Sequence, residues 1–393
     1  MPAYVKEEGL DFNFDELIER RSSGSVKWDV YDEDVLPLWI ADMDFRAPTA
    51  VIQALQERAA HGIFGYTLES PRLREQIVAR MKALYDWEVR PEEIVFIPGV
   101  VVGFNQAAQA LARPGEGVLI QTPIYPPFLE IGAHGGLLSQ YAPLARNEDG
   151  EYGVDLNAFE EVIDNQTRVF VLCNPHNPVG RVFSRRELEG MAEICARHGV
   201  WIVSDEIHSD LIFSGHKHIP IASLDGEISR RTITLMAPSK TYNIPGLECS
   251  FAIIQDESVR EHFQGGRRGL VGGVNLLGLA AAEAAYSQGQ GWLDAVMLYL
   301  EGNRDYLFDF VRTELLGVHM AKPEGTYLAW LDCHQAGIEG DPGQFFLERA
   351  KVALNEGKTF GPGGEAFVRL NFATPRRTLE QALQRMKAAL QSL

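Results

Sequence analysis

Six short apolar runs punctuate the middle of this chain: Ile94–Ile97, Gly117–Gln121, Arg168–Leu172, Val200–Ser204, Thr232–Met236 and Phe251–Ile254. Each is too short for a helix and too uniformly apolar for a strand with one wet face. Between them, Gly103–Ala112, Pro126–Ala133, Leu156–Ile163 and Arg185–His198 carry apolar residues at helical spacing. Strands buried on both faces and separated by helices predict a mostly parallel central sheet flanked by helices, an α/β fold. Such sheets bind ligands beyond the carboxyl ends of their strands, so functional side chains are sought there.

After about residue 290 the texture changes. Trp292–Leu315 is amphipathic and predicts a long helix, and Gly325–Leu331 alternates like an antiparallel strand. Helix is predicted again over Pro342–Asn355, a strand over Ala366–Phe372 and a closing helix over Leu379–Leu390. The expected organisation is a large α/β domain at 46–290 and a smaller α+β domain at 291–393, with residues 1–45 packing on the smaller one. At 393 residues and 46% hydrophobic content the chain has material for two lobes with a cleft between them. A net charge of −18 repels phosphate backbones and anionic headgroups, which argues against nucleic acid and membrane partners. The nearest approach to a membrane span, Leu276–Ala285, is too short and carries Glu283. Cys173, Cys195, Cys249 and Cys333 lie far apart, and Met1–Glu8 has no apolar signal core; both features predict a cytoplasmic protein with reduced thiols.

Three polar groups fall just past consecutive predicted strands. Asn174-Pro175-His176-Asn177-Pro178-Val179-Gly180 follows the first, Asp205-Glu206-Ile207-His208 the second, and Ser239-Lys240 the third. Singly, each has an ordinary explanation: a proline–glycine turn, a helix cap, a lysine reaching for water past a strand end. Together, an amide, a carboxylate and an amine at one sheet edge meet the needs of a pyridinium aldehyde cofactor. The lysine would form the Schiff base, and the carboxylate would keep the ring nitrogen protonated so that the ring withdraws electrons. Pro98-Gly99-Val100-Val101-Val102-Gly103 follows another strand and opens a helix, whose free N–H groups suit a phosphate. Tyr125, past a further strand, either stacks on a cofactor ring or lids the core.

The same segments, with Leu38–Phe45, His61–Tyr66, Ser239–Leu247 and Gly325–Trp330, carry a family resemblance over nearly the whole chain. The chain resembles the pyridoxal 5′-phosphate enzymes of the aspartate-aminotransferase fold, and within them the cystathionine β-lyase and cysteine-conjugate C–S lyase branch. The resemblance implies Lys240 as Schiff-base lysine and Asp205 as partner of the ring nitrogen, with Tyr125 at the ring and Asn177 on the phenolic oxygen. His208 takes a position where many relatives carry a tyrosine. Val100 and Val101 would offer N–H groups to the phosphate and Ser239 its hydroxyl. Arg369 would grip the substrate carboxylate, beside Asn177. Tyr66 would reach the phosphate and substrate of a neighbouring subunit, which implies a homodimer with shared sites. The chain departs from the wider pattern at Ala237, where a serine is common, and at Glu248, where an arginine often meets phosphate. The implied activity is α,β-elimination on cystathionine or another cysteine S-conjugate, giving thiol, pyruvate and ammonia. An aminotransferase, or a regulatory binding protein on the same fold, are the alternatives. His208, His216 and His218 lack a carboxylate or cysteine at metal-site spacing, and no metal is expected. Gly361–Gly364 lacks the strand–loop–helix setting of a nucleotide site.

Overall fold

The computed structural model of the chain describes residues 6–7, 10–267 and 269–393. Its central sheet has seven strands: β1 (Ile94–Ile97), β2 (Gly117–Thr122), β3 (Leu138–Pro143), β4 (Thr167–Cys173), β5 (Trp201–Asp205), β6 (Thr232–Met236) and β7 (Ser250–Ile254). Their spatial order is β1-β7-β6-β5-β4-β2-β3. All pairs are parallel except those of β7, which runs antiparallel to both β1 and β6. The six apolar runs are thus strands. β3 escaped the sequence reading because it is an edge strand, with Leu138 and Tyr141 open to solvent rather than buried.

Helix α1 (Val100–Leu111) starts three residues before the predicted span, because three valines in its first turn disguise it. It lies hard against the sheet at Gly103, where a Cβ would sit 2.4 Å from Ile97 and 3.0 Å from Leu235. The predicted helix Pro126–Ala133 is broken into Pro126–Leu129 and Ile131–Gly135. Arg185–His198 is helical as read, opened by a reciprocal Ser184–Glu187 cap and closed by left-handed Gly199. The long helix spans Gln290–Glu314. Among the described residues, no helix is long and apolar enough to cross a membrane.

A second, antiparallel sheet orders β8 (Leu328–Asp332), β10 (Phe367–Asn371) and β9 (Asn355–Glu356) as β8-β10-β9, and the closing helix covers Arg376–Leu390. The predicted helix Pro342–Asn355 is wrong in its second half. One turn at Pro342–Phe345 runs into a wide turn at Phe346–Ala350, and Lys351 is left-handed at φ 55°. Val352–Ala353 then pairs with Leu36–Pro37, and Asn355–Glu356 joins β10. Pairing with distant strands has overridden local helical spacing.

Residues 20–44 are folded onto one another by charge. Lys27 has a fully buried side chain; its Nζ lies 2.7 Å from Asp44, and Arg20 contacts Asp42 at 2.7 Å and Asp44 at 2.6 Å. Burial alone would raise the Asp44 carboxyl, but Lys27, the Trp28 indole N–H and Arg20 leave it below the ordinary range. Asp44→Ala leaves Lys27 with only the longer carboxylate contact to Asp42, at 3.7 Å, and the expected loss is about 3 kcal/mol by urea unfolding. Because the Asp44 pKa is depressed on folding, this contribution is present above the unfolded carboxyl pKa and disappears as pH falls through the folded one. The gap between wild type and variant should therefore close on acidification.

Candidate active site

The ladder register fixes the site. Asp205 is level with Cys173 on β4 and Leu235 on β6, so the loops after all three strands open at one edge. Two bonds lock that edge: the Asn174 N–H donates to the Asp205 carbonyl at 3.0 Å, and the Glu206 N–H to the Leu235 carbonyl at 2.8 Å. Asn174 is wholly buried and its side-chain oxygen takes the Phe183 N–H, so it shapes the loop. Asn177, three residues on, faces a cavity of about 450 Å³.

Asp205, Lys240, Ser239, His208, Asn177, Tyr125, Val100, Val101 and Arg369 all line this cavity. The structure therefore brings together every residue given a cofactor or substrate role in the sequence except Tyr66, which is fully exposed and outside the cavity of its own chain. Lys240 sits in a four-residue turn, Pro238–Thr241, and its Nζ donates to the Ala41 carbonyl at 2.6 Å. Burial lowers its pKa to about 8, helped by the charge of Arg369 and opposed by Asp42 and Asp205. Burial likewise pushes Asp205 up to about 7; Glu206 adds to the rise, while the Ile207 N–H and Lys240 restrain it. His208 is held far below its ordinary value by burial and by Lys240 and Arg369, so it is a neutral imidazole. Its Nδ1 is buried with no partner among the described residues.

Arg369 is clamped by three acceptors: Asn177 Oδ1 at 3.0 Å, the Trp39 carbonyl at 2.8 Å and Asn355 Oδ1 at 2.6 Å. Its guanidinium lies 5.0 Å from the centre of the Phe360 ring. No carboxylate neutralises it among the described residues, and burial drops its pKa to about 10. A buried cation held only by neutral acceptors is a receptor for an anion. At the opposite end, Gly99 (φ 135°) precedes α1 with no side-chain cap, leaving the first N–H groups of a twelve-residue helix facing the cavity. Ser239 lies beside them, its hydroxyl 3.4 Å from the Cys249 carbonyl.

Sequence reasoning missed Asn355, Tyr327 and the Ala41 carbonyl. Tyr327 donates to the same Ala41 oxygen as Lys240, at 2.8 Å, and packs edge-on to His208. Ala41 is presented by its neighbours: Asn371 binds the Ile40 and Asp42 carbonyls, and Asn243 binds the backbone of Met43 and Phe45. Asn355 was hidden inside the predicted helix. Glu248, left-handed at φ 51°, does line the cavity, and no described side chain pairs with it.

An anion receptor at each end, with an amine and an acid of tuned pKa between, fits a phosphorylated aldehyde ring and an amino acid. The chain matches the class I and II aminotransferase family over residues 33–386. It belongs to that family. It is 44% identical to cystathionine beta-lyase PatB of Bacillus subtilis over 386 residues, covering 96% of this chain and all of the relative. Two solved structures superpose over 97% of this chain and 99% of their own: the PLP-bound C-S lyase of Staphylococcus hominis (TM-score 0.92, 34% identity) and cystalysin of Treponema denticola with pyridoxal 5′-phosphate (TM-score 0.93, 31% identity). The lowered Lys240 pKa is directly measurable. In cofactor-stripped protein, Lys240 should react with an amine-directed label with a midpoint near pH 8, while surface lysines follow at ordinary values. Peptide mass mapping checks this, and a Lys240 midpoint near pH 10 would refute the electrostatic account.

Proposed function

We propose that this chain is a pyridoxal 5′-phosphate-dependent C–S β-lyase acting on L-cystathionine or other cysteine S-conjugates. The observation that carries the reading is the convergence of Lys240, Asp205 and Arg369 on one cavity closed by a helix N-terminus. The names of the full-length relatives support the elimination outcome over transamination.

Bound there, pyridoxal 5′-phosphate supplies an aldehyde that condenses with amines and a ring that accepts the electron pair released at the substrate Cα. The first N–H groups of α1 and the Ser239 hydroxyl would hold the phosphate, and Tyr125 would pack on the ring face. Asp205 would stand against the ring nitrogen and, as an anion, would favour a proton there. Asn177 has its Oδ1 on Arg369 and its amide N–H₂ left to donate to the phenolic oxygen. Arg369 fixes the substrate carboxylate. Lys240 would take the Cα proton on Nζ; a pKa near 8 leaves a usable share of free base at neutral pH. The Cβ–S bond then breaks and the thiolate leaves with a proton. With one water the products are thiol, pyruvate and ammonia, which balances the substrate. Neutral His208 sits beside these groups without adding charge.

We further infer a cytoplasmic homodimer. Ile63, Phe64, Tyr66 and Leu68 are 64% exposed or more in one run, an apolar strip suited to a second copy that would receive Tyr66 in its own cavity. Residues 46–290 would form the large domain and 291–393 the small one. The pairing of Leu36–Pro37 with Val352–Ala353 supports placing the preceding segment on the latter.

Lys240→Ala is expected to lower pyruvate and thiol release from L-cystathionine by at least about a thousandfold; turnover like wild type would remove the assignment. A 2-oxo acid formed only with an amino acceptor, and no thiol, would mark a transaminase instead. Tyr66→Ala and Lys240→Ala proteins, each inactive alone, should regain about a quarter of wild-type activity when their subunits are mixed, because half the dimers then carry one intact site. No recovery would place Tyr66 outside the neighbouring site.

A further inference from the structure

In extended chain, neighbouring side chains face opposite sides of the sheet, and β5 ends on one acid, Asp205, with another, Glu206, directly after it. Asp205 faces the cavity. Glu206 faces away, with Ser204, into a pocket sealed from solvent. Its carboxylate is supported rather than neutralised. Oε1 accepts from the Ser204 hydroxyl at 2.8 Å and the Ile221 N–H at 3.3 Å, and Oε2 lies 2.9 Å from His218 Nε2. His218 is the sole basic side chain paired with it among the described residues, and the two side chains are 1% and 0% exposed.

The tautomer follows from the other ring nitrogen. His218 Nδ1 is buried and has no partner among the described residues. A protonated ring would bury an N–H there with nothing to receive it, which costs more than burying an unused lone pair. His218 is therefore neutral, with its proton on Nε2 donated to an ionised Glu206, and the pair carries one negative charge. The groups facing it do not cancel that charge. The Tyr85 ring packs edge-on to His218 at 5.6 Å, and the nearby Arg80–Asp210 ion pair (2.7 Å) is neutral as a unit. His216 and Lys217, on the same segment, are exposed. On the cavity side stand Asp205 itself, Lys240 and the Ile207 N–H.

Resting on the cofactor reading above, we propose that Glu206, held ionised by His218, is a positioning residue for the cofactor ring: a buried second charge behind Asp205 that helps keep the ring nitrogen protonated. It touches neither ring nor substrate. It acts through the field it lays across the strand end, where low polarity lets a fixed charge reach further than it would in water.

The test loads wild type, Glu206→Gln, His218→Gln and His218→Phe with pyridoxal 5′-phosphate labelled with ¹⁵N in the ring, and follows the ring-nitrogen resonance against pH. Glutamine at 206 keeps the shape and removes the charge; to accept from its amide the imidazole must carry its proton on Nδ1, where that N–H has no partner among the described residues, a cost that falls on stability rather than on the ring nitrogen. The ring proton should leave about one pH unit lower in Glu206→Gln, with kcat for elimination down about tenfold and KM little changed. His218→Gln keeps a donor to Glu206 and should titrate with wild type. His218→Phe removes the donor and should shift like Glu206→Gln, which decides the matter if the latter does not fold. Glu206→Gln or His218→Phe losing thermal stability while titrating with wild type overturns the proposal and leaves a merely structural pair. Uptake of the labelled cofactor by wild type is a separate control: its failure would strike the cofactor reading.

Discussion

Two backbone hydrogen bonds between parallel strands govern this molecule's chemistry. They set β4, β5 and β6 level, so that whatever follows each strand opens onto the same edge. A slip of one residue would turn Asp205 into the sealed pocket and Glu206 into the cavity. The parallel ladder tolerates no such slip, because its strands are buried on both faces and each side chain already has its partners. The geometry of the candidate site is a by-product of sheet register.

The second organising force is desolvation. Lys240, Asp205, His208 and Arg369 are each pushed toward their neutral forms by the same low-polarity surroundings; Lys240 and Asp205 partly rescue each other, Tyr125 and Tyr327 partly rescue Arg369, and His208 is driven further by both cations. The cavity thus holds charges that its own walls do not fully balance. Such a site favours ligands that bring the missing charge: a phosphate and a carboxylate for the cationic ends, a cationic ring nitrogen for the acid. Arg369, with three neutral acceptors and no counter-ion among the described residues, shows the principle most plainly.

Much of this was legible in the sequence, and the reasons for the gaps are physical. Asp205 and Lys240 could be found because uniformly apolar runs mark buried strands, and polar groups past three consecutive strands of a parallel sheet must meet at one edge. β3 could not, since an edge strand alternates with solvent and loses that signature. Asn355 was lost because Pro342–Ala350 has good helical spacing and nothing local shows that Val352 and Asn355 will be drawn into two different sheets. The Ala41 carbonyl is a backbone atom, invisible to any reading of side chains, although the unusual Ala41–Phe45 stretch did mark the place. Tyr66 illustrates the converse: motif resemblance singles it out, while the fold of a single chain leaves it exposed.

The Trp39 carbonyl and the Arg369 guanidinium meet across 330 positions of sequence. During synthesis, then, the segments bearing Asp205 and Lys240 are made long before Arg369 is. A nascent chain could hold its amine but not yet the guanidinium that helps to lower the pKa of that amine. The charge balance of the cavity is consequently the last property the molecule acquires, and it arrives only when two distant parts of the polypeptide have found each other.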